Sequence, residues 1–91
     1  MPQIRAHVRI FGEVQGVFFR STARGLALAN GLTGWIRNRA DGSVEAVFEG
    51  EEQAVRDMVD WCHEGPLHAE VERVEVEWLQ ATGDLKGFAV G

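Results

Sequence analysis

Over residues 4–11 apolar and polar side chains alternate, with Ile4, Ala6, Val8 and Ile10 in one phase and Arg5, His7 and Arg9 in the other. A period of two predicts a strand with one buried face and one polar face. Gly12 and Gly16 then bracket a loop, after which the period changes. Phe19, Ala23, Leu26, Ala27 and Asn30 recur at helical spacing, and Gly31 supplies a left-handed stop. Residues 32–39 and 43–49 predict two more strands, joined by Arg39-Ala40-Asp41-Gly42 with the Asp-Gly pair of a hairpin. Val44, Ala46 and Phe48 are expected to point inward. Val55, Met58, Val59 and Cys62 form the apolar stripe of a second helix that stops at Gly65-Pro66. Glu51 and Glu52 suit the positive end of that helix. Residues 70–79 alternate again, with Val74, Val76 and Trp78 opposite Arg73, Glu75 and Glu77. After a loop through Gly83, residues 87–90 make a short final strand.

This order predicts an α+β, ferredoxin-like βαββαβ sandwich, two helices on one face of an antiparallel sheet, with a short C-terminal fifth strand. Ninety-one residues admit a single domain, 1–91. In such a topology the first two strands run parallel and end at the same edge of the sheet. The fold hosts many functions, so function has to be read from a site.

Charge changes the picture. The net charge of −5 argues against a polyanion partner. Residues 1–40 nevertheless carry six arginines against Glu13, whereas residues 41–91 carry three cations against thirteen acids. That asymmetry fits either a local anion site in the first forty residues or pairing of the two halves across one sheet. No run approaches the roughly 18 apolar residues of a membrane span, and the start, Met1-Pro2-Gln3-Ile4-Arg5, lacks the layout of a signal peptide. The lone Cys62 excludes an internal disulfide. Together these predict a cytoplasmic, monomeric protein.

Candidate chemistry gathers at the edge where the first two strands end. A glycine-containing turn that runs straight into a helix aims backbone N–H groups and the helix dipole at one point, which can cradle an anion. Arg20 falls in the first helical turn, where its fork can grip two oxygens of a phosphate. The second strand brings Arg37, Asn38 and Arg39 to the same edge. On residue types alone, an ordinary turn with a solvated arginine is the favoured reading.

The stretch Gly12-Glu13-Val14-Gln15-Gly16-Val17-Phe18-Phe19-Arg20 closely resembles the first signature of the acylphosphatase family, and Gly34-Trp35-Ile36-Arg37-Asn38, continuing to Gly42-Ser43-Val44 and Gly50, resembles its second. Phe18 stands where glycine is common, Ile36 replaces a smaller aliphatic, and no basic residue lies near Gly91. The resemblance implies hydrolysis of acyl phosphates, the mixed anhydrides of a carboxylic acid and phosphate. It implies that Arg20 and the N–H groups of Gln15, Gly16, Val17, Phe18, Phe19 and Arg20 bind the phosphoryl group, and that Asn38 orients the attacking water. It further implies no metal, no cofactor, and inorganic phosphate as product and inhibitor.

Two other classes share the topology. RNA-recognition domains display stacking aromatics on their central strands, where this chain places Arg5, His7, Arg9 and Glu45. A regulatory or partner-binding module is the other. Cys62, on an apolar stripe, is expected to be inert. His7, His63 and His68 lack metal-ligand spacing, and Glu70, Glu72, Glu75 and Glu77 are expected to be solvated or paired with Arg5, Arg9 and Arg37. If the fifth strand closes the sheet beside the second, Gly91 arrives near Arg20 and its carboxylate can pair with the guanidinium; a frayed terminus is the alternative.

Overall fold

In the computed structural model, which describes residues 2–91, the elements run β1 (Gln3–Glu13), α1 (Phe19–Ala29), β2 (Thr33–Asn38), β3 (Val44–Glu51), α2 (Glu52–Glu64), β4 (Glu70–Gln80) and β5 (Phe88–Val90). The strand order is β4-β1-β3-β2-β5. Pairing is antiparallel throughout except for β2 with β5, which are parallel. Because β1 and β2 both run against β3, they point the same way, and β5 joins them. The C-terminal ends of β1, β2 and β5 therefore meet at one edge of the sheet.

The apolar phase of the strands makes the core. Ala6, Val8, Ile10, Ile36, Val44, Ala46 and Phe48 are buried against Phe19, Ala23 and Ala27 of α1 and Val55, Met58, Val59 and Cys62 of α2. Each fully buried aliphatic or phenyl side chain contributes about 1.5–3 kcal/mol. Phe48 stacks on Phe88 with ring centroids 5.6 Å apart, fastening the short β5 to the sheet. Phe19 meets Trp61 at 5.1 Å and joins the start of α1 to α2. The two helices begin differently. The Glu51 carboxylate caps α2, accepting from the N–H groups of Gln53 and Ala54, each at 3.3 Å, whereas α1 has no side-chain cap. No helix among the described residues is long and apolar enough to cross a membrane.

Several details differ from the sequence reading. Gly12 lies inside β1, not in a loop. The β1–β4 register shifts between Phe11 and Gly12, and at φ 129° a Cβ on Gly12 would strike the Glu70 carbonyl oxygen, so the bulge admits only glycine. Asn30 leaves the buried face of α1, and its Nδ2 donates to Leu26 O at 2.7 Å beyond the helix end. Trp78 is half exposed and covered by Arg56, whose guanidinium carbon is 4.8 Å from the ring centroid. Arg5 and Arg37 pair with Glu49 and Glu45 of β3, not with the glutamates of β4. β3 is the central strand, so its carboxylates lose water and claim the arginines, while Glu70 and Glu72 on the edge strand stay solvated.

Gly25 sits exposed within α1, and a Cβ there would meet nothing within 4 Å. Replacing it with alanine lowers the backbone entropy of the unfolded chain without a clash. Gly25→Ala is expected to stabilise the protein by about 0.5–1 kcal/mol. Thermal unfolding should show a rise of several degrees.

Candidate active site

After Glu13 the backbone leaves the sheet and curls into α1 over residues 14–18. Gly16 has φ 75°, and Phe18, the residue that precedes α1, is left-handed at φ 63° and ψ 24°. Left-handed residues two apart turn successive N–H groups toward one concavity. α1 has neither a side-chain cap nor an acid in its first turn. Its orphan N–H groups and the positive end of its dipole are left for a ligand, and the ligand they favour is an anion. At the other helix, Glu51 already fills that role.

The cleft beside this turn has a volume of about 360 Å³ and is lined by Gly16, Phe18, Arg20, Ser21, Asn38 and Val90 over the buried Val14 and Phe19. Of the residues expected to bind substrate, Gly16, Phe18, Phe19 and Arg20 thus come together with Asn38, the residue expected to orient water. Asn38 ends β2 and is exposed. Arg20 is partly buried, and its Nη1 donates to the Gly91 carbonyl-type oxygen. Gly91 is held in turn by its own N–H, which donates to Ile36 O at 2.8 Å. Arg24 Nε donates to Phe88 O at 3.1 Å. The last residues are therefore docked, as the β5–β2 pairing requires, rather than frayed.

Gln15 and Val17 do not line the cleft. The Val17 side chain packs against the core. The Gln15 amide reaches across the edge and donates to Arg39 O at 2.8 Å and to Ser43 O at 2.9 Å. It ties the turn after β1 to the β2–β3 hairpin that carries Asn38. Nothing local in the sequence signals this brace, since its partners are 24 and 28 residues away. The hairpin is closed from within by Asp41, whose Oδ1 accepts from Ser43 N at 2.9 Å and Ser43 Oγ at 2.5 Å.

Arg37 and Arg39 reach the right edge but turn away from the cleft. Both are drawn to Glu45, 5% exposed on the face of the sheet opposite the helices. Its Oε1 accepts from Arg37 Nε at 2.9 Å and Arg39 Nη1 at 3.0 Å, and its Oε2 from His7 Nε2 at 2.6 Å. A carboxylate only accepts, so this contact places a proton on Nε2. Burial pushes the Glu45 carboxyl up, but the bonds from His7, Arg37 and Arg39 outweigh it and hold the pKa at about 2. Sequence reasoning took Glu45 only as one charge on a polar face. Among the described residues, no three His, Cys, Asp or Glu side chains converge to hold a metal ion. Burial pushes the Cys62 thiol up to about 12, so it stays protonated.

A family-wide sequence profile described as acylphosphatase matches residues 6–90. The chain is 56% identical over 90 residues to an acylphosphatase of Pelotomaculum thermopropionicum, covering 99% of this chain and 98% of that one. Among solved structures, an acylphosphatase from Coxiella burnetii superposes with a TM-score of 0.92 at 38% identity, covering 99% and 94% of the two chains. Another from Bacillus subtilis gives 0.92 at 30% identity, covering 97% and 98%.

The Glu45 cluster carries a pH signature. Its folded pKa of about 2 lies below the ordinary 4.5, so the unfolded chain takes up a proton first as pH falls. The stabilisation is complete above about pH 4.5 and is lost toward pH 2. Glu45→Gln should be clearly less stable than the parent at pH 7, and the gap should close on acidification. Denaturant titrations between pH 7 and pH 2 would measure it; a pH-independent gap would show that the charge of Glu45 is not what holds the cluster.

Proposed function

The chain belongs to the acylphosphatase family, and from that premise we propose how its own residues hydrolyse an acyl phosphate to a carboxylate and inorganic phosphate. The N–H groups of residues 15–20 and the Arg20 guanidinium hold the phosphoryl oxygens, and Asn38 orients the water. The observation that carries this reading is the uncapped N-terminus of α1, opening with Arg20 onto a cleft that also contains Asn38. Phosphoryl transfer is mainly positioning plus stabilisation of charge on the equatorial oxygens. Fixed N–H donors and a guanidinium supply that stabilisation without reorganising during the reaction. Arg20 Nη1 already contacts Gly91, so the phosphoryl group either displaces that contact or takes the remaining donors.

The Asn38 amide donates and accepts, so it can fix a water in line with the bond to be broken. The water oxygen bonds to phosphorus as the phosphorus–oxygen bond to the acyl group breaks. The carboxylate leaves with the electron pair and needs no strong general acid. The side chains lining the cleft include no carboxylate or imidazole, so the water's proton passes to a phosphoryl oxygen. All these groups come from one chain, which supports a monomer acting on a small molecule. The net charge of −5 supports a partner other than nucleic acid. The free, buried Cys62 suits a reducing cytoplasm.

The direct test is hydrolysis of benzoyl phosphate in EDTA, with p-nitrophenyl phosphate as control. Steady turnover of the first and little of the second is expected, and no turnover of the first would overturn the reading. Arg20→Lys keeps the charge but loses the fork, so kcat/KM should fall about a hundredfold or more, with inhibition by phosphate weakened in step. Asn38→Ala should lower kcat by about two orders of magnitude or more while leaving phosphate inhibition nearly unchanged, as for a group used mainly in the transition state. Loss of phosphate affinity in proportion to turnover would make Asn38 a substrate ligand instead.

A further inference from the structure

Phe18 is unusual twice over. It is the one non-glycine residue with positive φ among the described residues, and its side chain is 78% exposed beside the cleft. A bulky residue in the left-handed region is strained, and an exposed ring gains nothing from burial to offset it. Strain of this kind clusters where ligands are gripped, which marks Phe18 as a candidate ligand contact.

The cleft itself indicates what that ligand is. Taking the site as proposed above, the phosphoryl group occupies Arg20 and the loop N–H groups, and Asn38 holds the water. Val14 and Phe19 are buried beneath the floor, and Gly16 has no side chain. The Ser21 hydroxyl donates back to Phe18 O at 3.3 Å. The lining side chains left for the acyl group are Phe18 and Val90, the latter 44% exposed. Among the described residues Arg20 is the one cation lining the cleft; Arg37 and Arg39 are held by Glu45, and Arg24 donates to Phe88 O.

We infer that Phe18 and Val90 form an apolar lip that grips the acyl group, so that the enzyme prefers acyl phosphates with an apolar, flat acyl portion over small or negatively charged ones. An aromatic acyl group covers the Phe18 ring and the Val90 methyls, whereas an acetyl group covers little of either. The inference rests on the acylphosphatase reading, and the test separates the two.

The readout is the ratio of kcat/KM for benzoyl phosphate to that for acetyl phosphate. In Phe18→Gly the ring is gone and the backbone strain relieved, and the ratio should fall about five- to tenfold. Val90→Ala should lower it by about two- to threefold, and Phe18→Tyr, which keeps the ring, should preserve it. A general disturbance of the phosphate turn would slow both substrates equally and leave the ratio untouched. An unmoved ratio in both Phe18→Gly and Val90→Ala overturns the lip while leaving the family activity intact. A parent protein that hydrolyses neither substrate overturns the acylphosphatase reading and the lip with it.

Discussion

A carboxylate can be buried only if its oxygens are fully partnered, and this requirement fixes the working edge of the sheet. Glu45 and Glu49 sit on the open face of the central strand, 5% and 3% exposed. An unpaired charge at either site would cost several kcal/mol. Glu45 gathers His7 from β1 and Arg37 and Arg39 from beside Asn38. Glu49 gathers Arg5 at 2.8 Å and the N–H groups of Thr82 and Gly83 at 3.2 and 2.9 Å. The first cluster holds the strand end that presents Asn38. The second pins the crossover after β4, so that β5 can lie beside β2 and bring Val90 and Gly91 to Arg20.

With the polar face settled in this way, four of the six arginines in the first forty residues divide into two uses. Arg5, Arg37 and Arg39 are consumed by the two glutamates. Arg20 alone of these turns toward the cleft, where it meets the N-terminus of α1. The contrast between the helices shows that the opening of α1 is not simply a helix start. α2 carries its own carboxylate cap; α1 begins at a strained phenylalanine with its N–H groups uncommitted by any side chain. Stability is given up at the position where an anion would restore it, which is how binding sites are commonly built.

The brace from Gln15 links these two parts. The turn after β1 supplies the N–H groups, the β2–β3 hairpin supplies Asn38, and the Gln15 amide fixes one against the other through two carbonyl oxygens. Because in-line attack tolerates little misplacement, the proposed mechanism makes this brace, between the groups assigned to the phosphoryl and the one assigned to water, bear directly on rate. The Arg20–Gly91 contact does the same from the other side, since it orients the guanidinium through a residue anchored to β2.

The sequence by itself determined the elements and the candidate site. Alternation in β1 and β4, the helical stripes of α1 and α2, the Asp-Gly turn and the Gly65 stop are local patterns, and local patterns reflect which faces must be buried. The two signatures likewise placed Arg20 in the first turn of α1 and Asn38 at the end of β2, positions that the topology brings to one edge. What only the tertiary structure decided was partnership. Arg5 and Arg37 each have several acids as possible partners in the sequence, and they take Glu49 and Glu45 because β3 lies at the centre of the sheet, where desolvation makes an unpaired carboxylate costliest. The bulge at Gly12 and the reach of Gln15 also depend on backbone from distant segments. Strand order and register are set by all the elements competing for one core, and no short stretch of sequence carries that information.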